Sequence, residues 1–176
     1  MRTLVLGGIR SGKSQWAETA LAEEVPDGSP VRYLATGPAP GGDADWAARV
    51  AAHRERRRDR WSTVESTDVT TQLRAVSVAT LVDDIGTWLT AAMDRSGAWS
   101  GGPVCAETED LVDAVSAFPA PLAVVSPEVG LTVVPATAAG RRFADELGSL
   151  NQRLAAVCDR VVLVVAGQPV TVKEPA

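Results

Sequence analysis

The sequence predicts an α/β fold: a mainly parallel sheet with helices on both faces and an antiparallel hairpin at its C-terminal edge. Three observations carry that expectation. Short apolar runs alternate along the chain with stretches of helical period. A glycine-rich pattern joins the first apolar run to the first helix. The last two apolar runs are separated by Gly167-Gln168-Pro169, a hairpin spacing.

Taken in order, Thr3-Leu4-Val5-Leu6 reads as a buried strand. Gln15 to Glu24 reads as a helix, with Trp16, Ala17, Ala20, Leu21 and Glu24 recurring at three and four. Val31 to Thr36 is a second strand, followed by the flexible stretch Gly37-Pro38-Ala39-Pro40-Gly41-Gly42 and a helix from about Asp43 to Arg58. Trp61 to Glu65 reads as a short strand and Val76 to Asp83 as a clear one. A helix follows over Trp88 to Arg95, then a Gly- and Ser-rich loop from Ser96 to Pro103. Glu107 to Phe118 is helical, and Pro119-Ala120-Pro121 stops it. Leu122 to Ser126 is a strand, and Thr137 is placed to cap a long helix reaching Val157. Val161 to Ala166 and Val170 to Lys173 complete the hairpin. Neither a repeat nor a composition break divides the chain, so one domain over residues 1–176 is expected.

Composition narrows the function classes. The chain has 176 residues, 45% of them hydrophobic, and no apolar run long enough to span a bilayer. Met1-Arg2 leads straight into the first strand without a signal-peptide pattern. Cys105 and Cys158 are isolated and read as reduced cytosolic thiols, so a cytoplasmic protein is expected. A net charge of −5 argues against a general nucleic-acid binder.

Gly7-Gly8-Ile9-Arg10-Ser11-Gly12-Lys13-Ser14 fits G-x-x-x-x-G-K-[ST], the phosphate-binding P-loop. Glycines let successive backbone N–H groups turn inward around phosphates, and the helix N-terminus adds unpaired donors and partial positive charge. Lys13 is placed to reach β- and γ-phosphates, and the Ser14 hydroxyl to ligate Mg²⁺. A second carboxylate for the cation is expected at the end of a neighbouring strand, and the run ending in Asp83-Asp84 offers one. Asp83 is the better placed; an acid there also reads as a plain helix cap, the role open to Asp84.

The single histidine, His53, lies in Arg49-Val50-Ala51-Ala52-His53-Arg54-Glu55-Arg56-Arg57-Arg58. On a helix Arg49, His53 and Arg56 or Arg57 share one face. Guanidiniums would hold the imidazole neutral, a competent nucleophile toward phosphorus, and would bind the phosphates of its electrophile. The same pattern also reads as a solvated basic helix face with an incidental histidine.

Several motifs, in order, resemble the bifunctional adenosylcobinamide kinase/adenosylcobinamide-phosphate guanylyltransferase family of cobalamin biosynthesis. They are Gly7 to Ser14, Tyr33-Leu34-Ala35-Thr36, Arg49 to His53, Trp61, Asp83, Trp88-Leu89-Thr90, Glu128-Val129-Gly130, Val134-Pro135, and Asn151-Gln152-Arg153-Leu154-Ala155-Ala156 with Val161 to Gly167. The resemblance implies a RecA-like P-loop fold and a homotrimer. It implies phosphorylation of the adenosylcobinamide hydroxyl from ATP or GTP, then transfer of GMP from GTP to that phosphate with release of pyrophosphate. It implies a guanylylated histidine at His53, while Lys13 is expected to be catalytic from its place in the P-loop. It implies a nucleotide site of Gly7 to Ser14, Thr36, Arg49, Arg56 and Asp83. Pro127, Ala136, Ala91, Asp84 and Pro169 stand where the family pattern usually has other residues. Two other readings stay open from the residues: a P-loop small-molecule kinase with another acceptor, and a noncatalytic nucleotide-binding homologue.

Overall fold

A computed structural model describes residues 1–37 and 60–175. The elements are β1 (Arg2–Gly7), α1 (Lys13–Glu24), β2 (Val31–Ala35), β3 (Trp61–Glu65), α2 (Val69–Arg74), β4 (Ala79–Asp83) and α3 (Ile85–Ser96). After a 3-10 turn (Ala98–Ser100) come α4 (Cys105–Ala117), β5 (Leu122–Pro127), α5 (Ala138–Val157), β6 (Arg160–Val165) and β7 (Gln168–Lys173). The expected helix over 43–58 lies outside the described residues, and so do Arg49, His53, Arg56 and Arg57.

The strands form one sheet in the order β3-β2-β4-β5-β1-β6-β7. Every adjacent pair is parallel except β6 and β7. The inner strands β1, β4 and β5 are buried on both sides because helices cover both faces there. Leu4, Leu34, Val82, Leu122 and Val124 pack into the core beneath α2, α3, α4 and α5. Val5, Tyr33, Leu81, Ala123 and Val125 point the other way, where Ala17 and Leu21 of α1 meet them. Because β1, β4 and β5 are parallel, Gly7, Asp83 and Pro127 all end at one edge of the sheet. A buried polar contact secures that edge from below: Ser126 Oγ donates to Asn151 Oδ1 at 2.6 Å, and Asn151 Nδ2 donates to the Pro127 carbonyl at 3.0 Å.

Several element boundaries differ from the expected ones for local reasons. β4 starts at Ala79 rather than Val76, because its neighbours supply partners only from Ala79 (to Val31) and Thr80 (to Leu122) onward. α3 starts at Ile85 because Asp84 caps it through the Thr87 N–H. α4 starts two residues early, at Cys105. The unanticipated α2 is capped by Asp68 and buries Val69 and Leu73 against α4 and its neighbours. The hairpin turns at Ala166 and Gly167, both at positive φ (50° and 78°), the conformation of a tight primed turn. Pro169 therefore belongs to β7, an edge strand, where its missing N–H is tolerated.

Cys158, at the end of α5, is buried, and burial pushes its thiol up to about 12. Cys105 is exposed. A thiol reagent near neutral pH is expected to modify Cys105 alone until the chain is denatured. The native state keeps the Cys158 proton that the unfolded chain loses near pH 9, so this thiol lowers stability as pH rises from about 9 toward 12. A native chain that titrates two thiols at neutral pH contradicts this.

Candidate active site

The loop between β1 and α1 is built by its glycines and by the far end of the chain. Gly12 (φ 91°) and Arg10 (φ 57°) take left-handed backbone conformations, and Gly12 caps α1 without any side-chain cap. A side chain on Gly7 would strike the Val164 carbonyl at 2.8 Å, and one on Gly12 would meet Gly167 Cα at 3.2 Å. Gly167 N donates to the Ser11 carbonyl at 2.8 Å, so the hairpin turn buttresses the loop from the side. Lys13 Nζ reaches back over the loop to the Gly8 carbonyl at 3.3 Å. Ser11 Oγ is buried and has no hydrogen-bond partner among the described residues. The first N–H groups of α1 thus face a concave, glycine-lined loop, which can bind a phosphate chain.

The sheet register then decides between the two aspartates. Asp83 pairs with Ala35 on one side and Val125 on the other, at the edge that carries the loop. Ser14 Oγ donates to Asp83 Oδ1 at 3.2 Å, and Tyr33 Oη donates to Asp83 Oδ2 at 2.5 Å. Asp84 instead turns its Oδ1 to the Thr87 N–H at 2.7 Å as the cap of α3. Thr36 is fully buried: its hydroxyl donates to the Asp84 carbonyl at 2.6 Å and accepts from Asp84 N–H at 3.0 Å. Its own N–H donates to the Asp83 carbonyl at 2.9 Å. Of the residues expected in the site, the structure therefore gathers Gly7 to Ser14 and Asp83, and puts Thr36 behind Asp83 as a backbone clasp.

Ser14 and Asp83 present a hydroxyl and a carboxylate, hard oxygen donors of the kind Mg²⁺ takes. Among the described residues no three His, Cys, Asp or Glu side chains gather at one point. A cation there would need phosphate oxygens and water to complete its shell, the usual habit of nucleotide-bound Mg²⁺.

Tyr33 was not anticipated as part of this site. The signal for it is parity: Tyr33 pairs with Leu81, two residues before Asp83, so both side chains leave the sheet on the α1 face. Glu128 is a second such residue. Its N–H donates to the Gly7 carbonyl at 3.0 Å, which sets it beside the first loop glycine, and its Oε1 accepts from Gly130 N–H at 2.5 Å. Beyond it Leu131, Val133 and Val134 are 78%, 90% and 73% exposed. No helix among the described residues is long and apolar enough to cross a membrane.

The family described as "Cobinamide kinase / cobinamide phosphate guanyltransferase" matches residues 3–172. A Pseudomonas aeruginosa protein named bifunctional adenosylcobalamin biosynthesis protein CobP is 40% identical, over 98% of each chain. Two proteins named bifunctional adenosylcobalamin biosynthesis protein CobU, from Escherichia coli and Salmonella typhimurium, are 34% and 35% identical over 98% of this chain and all of theirs.

Proposed function

The chain belongs to the cobinamide kinase/cobinamide phosphate guanyltransferase family, and from that premise we propose how its site divides the work. The protein is an adenosylcobinamide kinase and adenosylcobinamide-phosphate guanylyltransferase, an enzyme of cobalamin biosynthesis that uses nucleoside triphosphates. The observation that carries the assignment of residues is the pairing of Ser14 with Asp83 beside the glycine loop.

In the kinase step the loop N–H groups and Lys13 hold the triphosphate of ATP or GTP. The hydroxyl oxygen of the corrinoid side arm bonds to the γ-phosphorus, its proton is released to solvent, and the bond to the nucleoside diphosphate breaks. Ser14 and Asp83 would hold Mg²⁺, which supplies charge neutralisation on the phosphate oxygens when bound. Lys13 stabilises negative charge on the transferring group.

In the guanylyl step a ring nitrogen of His53 bonds to the α-phosphorus of GTP and pyrophosphate leaves. The phosphate of the kinase product then bonds to the same phosphorus, and the P–N bond breaks. Adenosylcobinamide-GDP is released and the histidine is free again. The basic stretch from Arg49 to Arg58, including Arg56, supports charge on the phosphates. We place the enzyme in the cytoplasm as a homotrimer with one domain per chain, taking no nucleic-acid partner.

Incubation with adenosylcobinamide, GTP and Mg²⁺ is expected to yield the corrinoid phosphate first and the GDP derivative second, with one pyrophosphate per second product. A product series that stops at the phosphate fits a kinase alone, and no product at all fits a noncatalytic homologue. Asp83→Asn is expected to lower turnover on the order of a hundredfold at ordinary Mg²⁺, with partial recovery as Mg²⁺ is raised. Full activity of the parent in excess chelator contradicts the cation assignment.

A further inference from the structure

We propose that Tyr33 is a positioning residue for the cation site: its hydroxyl turns the Asp83 carboxylate so that Oδ1 is presented beside Ser14. This rests on the reading that Ser14 and Asp83 hold the cation. Tyr33 Oη sits 2.5 Å from Asp83 Oδ2, while Ser14 Oγ sits 3.2 Å from Oδ1. The two contacts take different oxygens, so together they fix the carboxylate plane. The reach follows from register. On adjacent parallel strands Tyr33 lies one pair below Asp83 on the same face. A separation of about 7–8 Å across such a diagonal is spanned by a phenol.

The rest of the surroundings makes Asp83 a rigid mount. The Thr36 N–H holds the Asp83 carbonyl, and the Thr36 hydroxyl grips both ends of the Asp84 backbone. Tyr33 is itself 6% exposed, with its ring edge-on to Trp61 at 6.5 Å. A buried phenol hydroxyl needs a polar partner, and here it spends that need on the carboxylate. The donor is also neutral. An arginine in its place would orient Asp83 equally well but would cancel the charge that a divalent cation needs. A phenol orients the group without adding a positive charge of its own. Fixing the rotamer beforehand removes that ordering cost from cation binding.

Tyr33→Phe removes the hydroxyl and keeps the ring, so the packing against Trp61 survives. The test is the affinity of the enzyme, bound to a nonhydrolysable GTP analogue, for Mn²⁺, read by electron paramagnetic resonance. The same analogue's affinity without metal is the control. Tyr33→Phe is expected to weaken Mn²⁺ about tenfold and to leave the metal-free nucleotide affinity within about twofold. Equal Mn²⁺ affinity in variant and parent overturns the proposal. So does a loss of metal-free nucleotide affinity as large as the loss for Mn²⁺, which would mark general damage. A parent complex that binds no Mn²⁺ overturns the cation reading of Ser14 and Asp83 itself, which separates that failure from the first.

Discussion

Lys13→Ala is expected to cut turnover in both reactions by about 100- to 1,000-fold, the loss of one preorganised charge at a transferring phosphoryl group, or ~3–4 kcal/mol. The fold should not notice. Lys13 is half-buried at the first turn of α1, and among the described residues its ammonium hydrogen-bonds to the Gly8 carbonyl. Its removal leaves no cavity in either core, so the melting temperature should stay within about 2 °C of the parent. Steady-state kinetics with each nucleotide, paired with a melting curve, checks both halves. Parent-like turnover would mean that the loop does not bind the reacting phosphates. Lost activity with a large drop in melting temperature would mean that Lys13 supports the fold instead.

His53→Asn separates the two reactions. Guanylyl transfer should fall by at least roughly a thousandfold, because the atom that forms the covalent bond is gone. Phosphorylation of the corrinoid hydroxyl should stay within about threefold, because the loop, Lys13, Ser14 and Asp83 are untouched. The chain has one histidine, so no second imidazole can substitute. The adduct's chemistry is a second check. A phosphoramidate is acid-labile and base-stable, unlike a serine phosphate ester. A variant that still forms an acid-labile adduct, or still transfers GMP at the parent rate, returns His53 to the solvated basic face that its arginine neighbours also suggest.

Much of the framework was legible because it rests on local rules. Glycines at fixed spacing after an apolar run announce a loop with left-handed positions, and Gly12 and Gly7 occupy places where a side chain would collide with Gly167 and Val164. The alternation of apolar runs with helical periods carried the parallel sheet, and the short final connection carried the antiparallel edge. The pair Asp83-Asp84 shows where locality ends. Both follow the same apolar run, and only the register against β2 and β5 sends Asp83 toward Ser14 and leaves Asp84 to cap α3. Tyr33 was hidden for the same reason. It joins the site only once β2 is known to lie beside β4, which depends on crossovers across the whole sheet. α2 escaped notice because Val69 to Arg74 is too short to show a period and includes two threonines, poor helix formers. Its stability comes from the Asp68 cap and from burying Val69 and Leu73. Thr36 was read as a nucleotide contact from the family pattern. In the structure it is fully buried and bonds to the Asp84 backbone beside the Asp83 carbonyl.

The most direct test of the account is a pulse and chase with α-labelled GTP. The enzyme is incubated with the labelled nucleotide and Mg²⁺ without corrinoid, freed of nucleotide, and then given adenosylcobinamide phosphate. The account predicts label on the protein after the pulse, stable to base and lost in acid. In the chase that label should move in full to adenosylcobinamide-GDP. A protein that never retains the α-phosphate, while still phosphorylating an acceptor from the γ-position, would contradict it and leave a P-loop kinase in its place.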